Sequence, residues 1–404
     1  MKKLRNLIIV ALSVLLLIGG VQSAKADEIA FSVDPNIPAN QAEAGSGYFN
    51  LLMNPGQKQT VTVKLTNSTN KKVTVESSIS SATTNINGLV EYSKNGLKPD
   101  SSLKYNIADY AKVPAETVLQ PNTSTTVNID VTMPSASFKG LIAGGITFKQ
   151  KSSETDQKNN DQGFAIKNEY QYVVALLMRQ DKGNLAPDLK LNTVEANQVN
   201  SRNVINANLQ NPAMSYLNNM NVDAKVTGIT DKSLSYSYAN SAMQMAPNTN
   251  FNLPIPVSIM GAIQNGQFSK PIKAGRYHLD MTVYGQKDAN GKYETTVNNK
   301  PVKYDYKWTF GKDFEVTAQQ AKDLNANDLT VQKDNTWLYL LIAAGVLLLL
   351  ALILFFLLLR RRKKNAKEDA KTASASTAEA DELKAKLAEM EEKLKAAENN
   401  ESPE

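Results

Sequence analysis

Thr60-Val-Thr-Val-Lys-Leu65 places Val61, Val63 and Leu65 on one side of an extended chain and Thr60, Thr62 and Lys64 on the other. Side chains alternate across a strand, so this two-residue period reads as a β-strand with one buried face. Lys72-Val-Thr-Val-Glu76 repeats it after the turn-forming Asn67-Ser-Thr-Asn70, and Val127, Ile129, Val131 and Met133 follow the same rule. Asn54-Pro-Gly-Gln57 sets Pro and Gly where a type II turn needs them. A second group starts near Ile166. Met220, Val222, Ala224 and Val226 alternate, then Phe251 to Ile259, then Tyr277, Leu279, Met281 and Val283 before an Asn290-Gly291 turn. Short alternating runs with turns every 8–12 residues or so predict an all-β fold of two immunoglobulin-like β-sandwich domains. Gly275-Arg-Tyr277-His-Leu279 resembles the tyrosine corner that enters a late strand of such sandwiches.

Working outward, the polar stretch 151–162 divides the two groups, which sets the domains at 27–162 and 163–316. The stretch also reads as a long hairpin loop, in which case the strand Tyr170–Leu177 completes the first domain. Pro254 and Pro256 interrupt the run from Phe251 and make it an edge strand or a partly irregular one, since proline donates no ladder hydrogen bond. Phe251, Pro254 and Pro256 are therefore a candidate partner-binding edge.

Both ends point to the membrane. Residues 1–26 read as a secretory signal, with Lys2, Lys3 and Arg5 before an apolar run and Ala24 and Ala26 forming the cleavage site. Trp337–Leu359 is 23 residues without a charge. As a helix it is about 34 Å long, enough to span a bilayer core. Trp337 and Tyr339 suit one interface, and Arg360, Arg361, Arg362, Lys363 and Lys364 hold the other end in the cytoplasm. The expectation is a single-pass type I protein with a polar stalk at 317–336 and a charged cytoplasmic tail at 360–404. Leu383, Leu387, Met390 and Leu394 give that tail a short heptad-like stripe, read as a solvated amphipathic helix or a weak association surface.

Composition then removes whole classes of chemistry. The formal charge of +6 falls to +2 once the signal's four basic residues are set aside, and no basic face emerges for nucleic acid. There is no cysteine, which excludes disulfides, thiolate metal sites and thiol nucleophiles. The single histidine, His278, points outward on the alternation above and has no catalytic companion. Asp288-Ala-Asn-Gly-Lys-Tyr-Glu294 reads as a hairpin turn rather than a calcium loop. Asp313-Phe-Glu315, the only D-x-E of the ectodomain, reads as a solvated strand face. No catalytic residues, metal ligands or cofactor are expected.

Phe31-Ser-Val-Asp-Pro35, Pro38-Ala-Asn-Gln41, Gly47-Tyr-Phe-Asn50, Pro55-Gly-Gln57, Ala82-Thr-Thr-Asn-Ile-Asn-Gly88 with Tyr92, Met133-Pro134, Phe138-Lys-Gly140 and Gly144-Gly-Ile146 follow one another in an order that resembles the WxL-interacting proteins of Gram-positive bacteria. Ile166-Lys-Asn-Glu-Tyr170, Ala246-Pro-Asn-Thr249, Ala274-Gly-Arg-Tyr277, Trp308, Phe310 and Phe314 are similar to that family's second module. The resemblance implies a non-enzymatic scaffold at the cell membrane, facing the wall. Its first domain would bind peptidoglycan, and its second a WxL-domain surface protein or a host surface or matrix protein. A host-directed adhesin and a sensor signalling through the tail are the alternatives. Tyr48, Phe49 and Tyr92 are candidate sugar-stacking residues, with Asn50, Asn85 and Asn87 as hydrogen-bonding neighbours. Asn85 and Asn87 read equally as turn residues.

Overall fold

In the computed structural model, residues 30–151, 170–333 and 336–398 are described. Ala24, Ala26 and the rest of the signal segment lie outside them, as does most of the polar stretch 151–162.

The first sandwich is built from β1 (Phe31–Asn36), β2 (Phe49–Leu52), β3 (Lys58–Asn67), β4 (Val73–Ser81), the short ribbon β5 (Thr83–Thr84) and β6 (Val90–Glu91), the one-turn helix α1 (Ile107–Tyr110), β7 (Ala111–Lys112), β8 (Glu116–Leu119), β9 (Ser124–Thr132), β10 (Leu141–Gln150) and β11 (Gln171–Arg179). One sheet runs β1-β3-β9-β7 and the other β2-β11-β10-β4-β8. Val61 and Val63 of β3 lie opposite Ile129 and Val127 of β9, and with Leu65 and Val131 they pack into one core with Phe49, Leu51, Val75, Ile146 and Phe148. Alternation made these strands; burial between the sheets holds them.

The division at residue 162 does not coincide with the hydrogen-bonded one. β11 pairs antiparallel with β10 from Leu141↔Arg179 to Lys149↔Gln171, and parallel with β2 on its other side. Val174, Leu176 and Met178 enter the first core. The polar stretch thus joins two adjacent strands of one sheet, and the first sandwich closes only after Arg179. Of the two sequence readings, the pairing agrees with the one in which the strand 170–177 completes the first domain, and a polar segment between antiparallel neighbours carries no mark that decides between them.

The second sandwich comprises β12 (Lys190–Val199), β13 (Arg202–Asn211), β14 (Leu217–Gly228), β15 (Ser235–Met245), β16 (Thr249–Pro256), β17 (Gly275–Lys287), β18 (Tyr293–Val297) and β19 (Lys300–Val316). Its sheets run β12-β13-β16 and β15-β14-β17-β19-β18. β12 and β13 are joined at Asn200 and Ser201, both with positive φ (49° and 56°), as a tight two-residue hairpin requires. Tyr277 makes the tyrosine-corner bond: its hydroxyl donates to the Lys273 carbonyl at 2.7 Å, with the ring stacked on Phe314. Burial raises the Tyr277 phenol to about 12, so it stays a donor throughout the ordinary pH range. Asp288 and Asn290 do form a turn, with the Gly291 amide donating to the Asp288 carbonyl at 3.1 Å. β16 is an edge strand, as its prolines implied, but Phe251 points into the core with Leu253 and Ile255 and offers nothing to a partner.

Residues 317–331 are not an extended stalk. Thr317 caps the helix α2 (Ala318–Asn327) through its side chain, which accepts from the Gln320 amide at 3.1 Å. Ala321 enters the second core. Gln320 donates to the Ala196 carbonyl and Asn325 to the Ile272 carbonyl. Asp328, fully buried, accepts from the Asn203 amide at 2.7 Å and from both the amide and the hydroxyl of Thr330. A polar composition concealed this docking because its partners are backbone groups at the ends of strands.

Of the described residues, those up to Gln332 form one compact unit, and those from Lys333 a second. The second is the continuous helix α3 (Thr336–Glu398), whose first part is long and apolar enough to cross a membrane. The basic cluster Arg360–Lys364 and the tail's leucine stripe lie on this same helix.

Candidate ligand-binding cleft between the sandwiches

The outer face of sheet β2-β11-β10-β4-β8 determines the site. Phe49, Leu51, Leu176 and Met178 turn inward, so alternation sends Asn50, Ala175, Leu177 and Arg179 outward. The parallel register sets Asn50 opposite Leu177, with Arg179 two residues further along the same face. The second sandwich packs on this face. Leu141, Ala143 and Leu177 join Ala82 and Ala246 in a small apolar cluster flanked by Tyr48, Tyr92 and Tyr216. Hydrogen bonds lock the seam. The Leu141 amide donates to the Met214 carbonyl (2.8 Å), the Ala246 amide to Thr84 Oγ1 (3.0 Å), and the Thr84 and Thr249 hydroxyls pair at 2.7 Å. Asp100 accepts from Gln210 and Asn250. Burial alone raises its carboxyl pKa, but these bonds and two from Ser102 outweigh that and hold it below 3.8. Gly140, at φ +91°, comes so close to Met214 that an added Cβ would lie 2.2 Å from its carbonyl oxygen.

Beside the seam opens a cleft of about 700 Å³. Its first-sandwich wall carries Tyr48, Asn50, Tyr92 and Arg179, and its second-sandwich wall Tyr216, Asn218, Gln244, Gln286 and Tyr306. Tyr92 and Tyr216 bridge the walls through their hydroxyls at 3.0 Å. Burial raises both phenols, Tyr216 well above the usual range, so the bridge stays neutral. Gln286 takes a left-handed conformation (φ +57°) within β17 and donates to the Tyr216 carbonyl at 3.2 Å. Such a backbone in a non-glycine residue is held by its surroundings, and at a cleft it points to function. Two buried polar atoms at the cleft have no partner among the described residues: Asn50 Oδ1 and Arg179 Nε. An unmet acceptor and an unmet donor on one wall are a free-energy cost unless a ligand or water supplies the other half. Amides, hydroxyls and tyrosine rings suit a polar ligand with its own donors and acceptors.

Of the six candidate glycan residues, Tyr48, Asn50 and Tyr92 come together here. Phe49 is fully buried in the first core. Asn85 shapes the β5–β6 turn, its Oδ1 accepting from the Asn87 and Leu89 amides while its Nδ2 donates to Glu91. Asn87 is exposed in that turn and does not line the cleft. Away from the cleft, His278 bonds Asp313, which raises the imidazole pKa, and Arg276 also pairs with Asp313 at 3.3 Å. The carboxylate pair near Glu315 thus sits on a solvated strand face.

Residues 31–150 match the family described as the WxL Interacting Protein, peptidoglycan binding domain, and residues 161–326 match the WxL Interacting Protein, host binding domain. Together they cover well over half of the chain. This chain belongs to the WxL-interacting protein family. A WxL-interacting protein joins a peptidoglycan-binding and a host-binding module at the cell surface, so this chain is a surface-binding scaffold. No curated protein matches it. Solved structures that are similar in chain path include a chaperone–tip adhesin complex of CFA/I fimbriae (8% identical, covering 65% of this chain and 94% of that one, TM-score 0.26). The CupB2 chaperone of Pseudomonas aeruginosa (11%, 65% and 95%, 0.23) and the YadV chaperone (11%, 71% and 100%, 0.24) are similar to the same degree.

The family's two modules divide near residue 160, whereas the two sandwiches of this WxL-interacting protein divide after Arg179. β11 thus falls in the second module by sequence and in the first by hydrogen bonding, and it contributes Arg179 to the cleft. Sequence reading missed Arg179, Tyr216, Gln286 and Tyr306. The alternation of β11 placed Arg179 outward, but nothing local showed that another sandwich covers that face.

Proposed function

We propose that this WxL-interacting protein is a non-enzymatic scaffold in the membrane of a Gram-positive cell. Its sandwiches face the wall, its first sandwich grips peptidoglycan, and its second holds a WxL-domain protein or a host surface protein. The observation that carries the wall-binding half is the cleft with its unpartnered Asn50 acceptor and Arg179 donor beside Tyr48 and Tyr92. Wall polymer presents acetamido and peptide groups, each a donor beside an acceptor, and sugar faces that stack on aromatic rings. α3 supplies the anchor, and Arg360–Lys364 keep the tail inside by the positive-inside rule. Residues 332–335 span at most about 14 Å, so the scaffold works at the inner wall rather than beyond it. That short tether weighs against an adhesin reaching from the wall surface.

Sedimentation of the ectodomain, residues 30–332, with insoluble peptidoglycan tests the wall reading. The protein should pellet saturably and release no soluble muropeptide. Steady release would instead assign Glu43, Asp288 and Asp305, which also line the cleft, a hydrolytic role. Titration against a co-encoded WxL-domain protein should give a saturable one-to-one signal. On wall-stripped cells, protease should remove the sandwiches and spare a tag at residue 404. Loss of that tag would reverse the topology.

A further inference from the structure

The end of the second sandwich that carries the β12–β13 turn also carries an apolar surface that the cleft does not use. Met260, Ile263, Phe268 and Leu329 are all large and well exposed there, Leu329 at 64%. Hydrogen bonds gather them. The Leu329 amide donates to the Ser201 carbonyl (3.1 Å), Arg202 Nε to the Ile259 carbonyl (3.1 Å), and the Ser269 amide to the Thr330 carbonyl (2.9 Å). The Ile259 amide donates to Ser269 Oγ at 2.8 Å, which pins both ends of the 259–269 loop against residues 328–331. The apolar side chains are therefore presented by an anchored loop and not by a loose one. Residues 258–273 contain no acid; Lys273 pairs with Asp231 at 3.2 Å, which leaves Lys270 as the basic residue beside this surface.

What covers this surface follows from chain length. Val331 is the last residue docked on the sandwich, and the membrane-length helix starts at Thr336. Four residues reach at most about 14 Å. We propose that Met260, Ile263, Phe268 and Leu329 rest in the headgroup region of the membrane, with Lys270 beside anionic lipid. Exposed apolar residues beside a basic one are the composition of an interfacial contact.

This rests on α3 being the anchor, which co-flotation of the full chain with vesicles tests separately. The chain has no cysteine, so one introduced residue labels cleanly. Full-length protein with Ile263→Cys carrying an environment-sensitive dye is reconstituted in phosphatidylglycerol–phosphatidylethanolamine vesicles containing nitroxide lipid. The dye at 263 should be blue-shifted and quenched several-fold more than one at Asn122→Cys in the first sandwich. Adding Met260→Ser and Phe268→Ser should reduce that quenching to the control level without moving the unfolding midpoint, because both side chains are exposed. Equal quenching at 263 and 122 in chains that float would overturn the proposal. So would energy transfer between labelled chains without lipid quenching, which would make this face a contact between copies.

Discussion

β10 and β17 are both long strands in the middle of a five-stranded sheet, yet they were unequally legible. In β17, Tyr277, Leu279, Met281 and Val283 are buried while Arg276 and Asp280 remain exposed, and the period of two is plain. In β10, every residue from Leu141 to Phe148 is buried. Ile142, Ile146 and Phe148 fill the core of their own sandwich, and Leu141 and Ala143 meet the other. Alternation reports one covered face. Where a second domain covers the other face, the signal flattens, and the seam beside which a cleft forms drops out of the pattern.

The comparison breaks most visibly if the seam strands are cut away. A chain ending at residue 162 lacks β11 and so loses Val174, Leu176 and Met178 from the first core. At roughly 2–5 kcal/mol per large core side chain, that loss rivals the whole stability of a domain. Residues 27–162 should show no cooperative melt by near-ultraviolet circular dichroism, whereas residues 27–188 should melt as a unit. A sharp transition in the shorter piece would return β11 to the second domain.

Outward positions in the two domains should then differ. Leu177→Ala, under the second sandwich, should cost about 2–3 kcal/mol in urea unfolding. Thr282→Ala, outward on β17, should stay within about 0.5 kcal/mol. Equal costs would mean that the seam contributes nothing to stability. Tyr277→Phe, which leaves the Lys273 carbonyl without its hydroxyl partner, should cost about 1 kcal/mol and leave wall binding unchanged.

Acid should weaken the seam selectively. The folded Asp100 carboxyl titrates below 3.8, so its stabilisation is complete above that pH and is lost as pH falls through the lower folded value. The stability gap between the natural chain and Asp100→Asn should be open at neutral pH and closed in strong acid. A gap independent of pH would remove the carboxylate from the account. His278 should give the smallest effect, of opposite sign. Bonding to Asp313 raises its pKa, so any contribution is present below 6.5 and fades as pH rises through the folded value. Exposure keeps it small, and His278→Gln should change the melting point little at either extreme.

Much of the architecture was open to reading because burial on one face writes itself into alternation. The strands around Val61, Val127 and Met281 are of this kind, whereas the edge position of the Pro254 and Pro256 strand followed from proline's missing donor and the corner at Tyr277 from a local motif. Tyr48, Asn50 and Tyr92 were identified by residue type and family resemblance, and they share a wall because the start of β2 and the residue that follows β6 meet at the same apolar cluster. The rest was concealed for two physical reasons. Contacts between distant backbone groups, such as those that dock Asp328 and α2, leave no periodic trace. A site with two walls needs both, and Tyr216, Gln286 and Tyr306 lie more than 100 residues beyond Tyr92.

The central claim is that wall polymer is gripped at this cleft, and removing its two unpartnered groups tests that most directly. Asn50→Ala with Arg179→Ala in the 30–332 ectodomain deletes the free acceptor and the free donor while leaving both cores intact. Against insoluble peptidoglycan, the double variant should keep its unfolding midpoint and lose at least tenfold in affinity, equivalent to about 1.4 kcal/mol. Undiminished pelleting by a folded double variant would contradict the account.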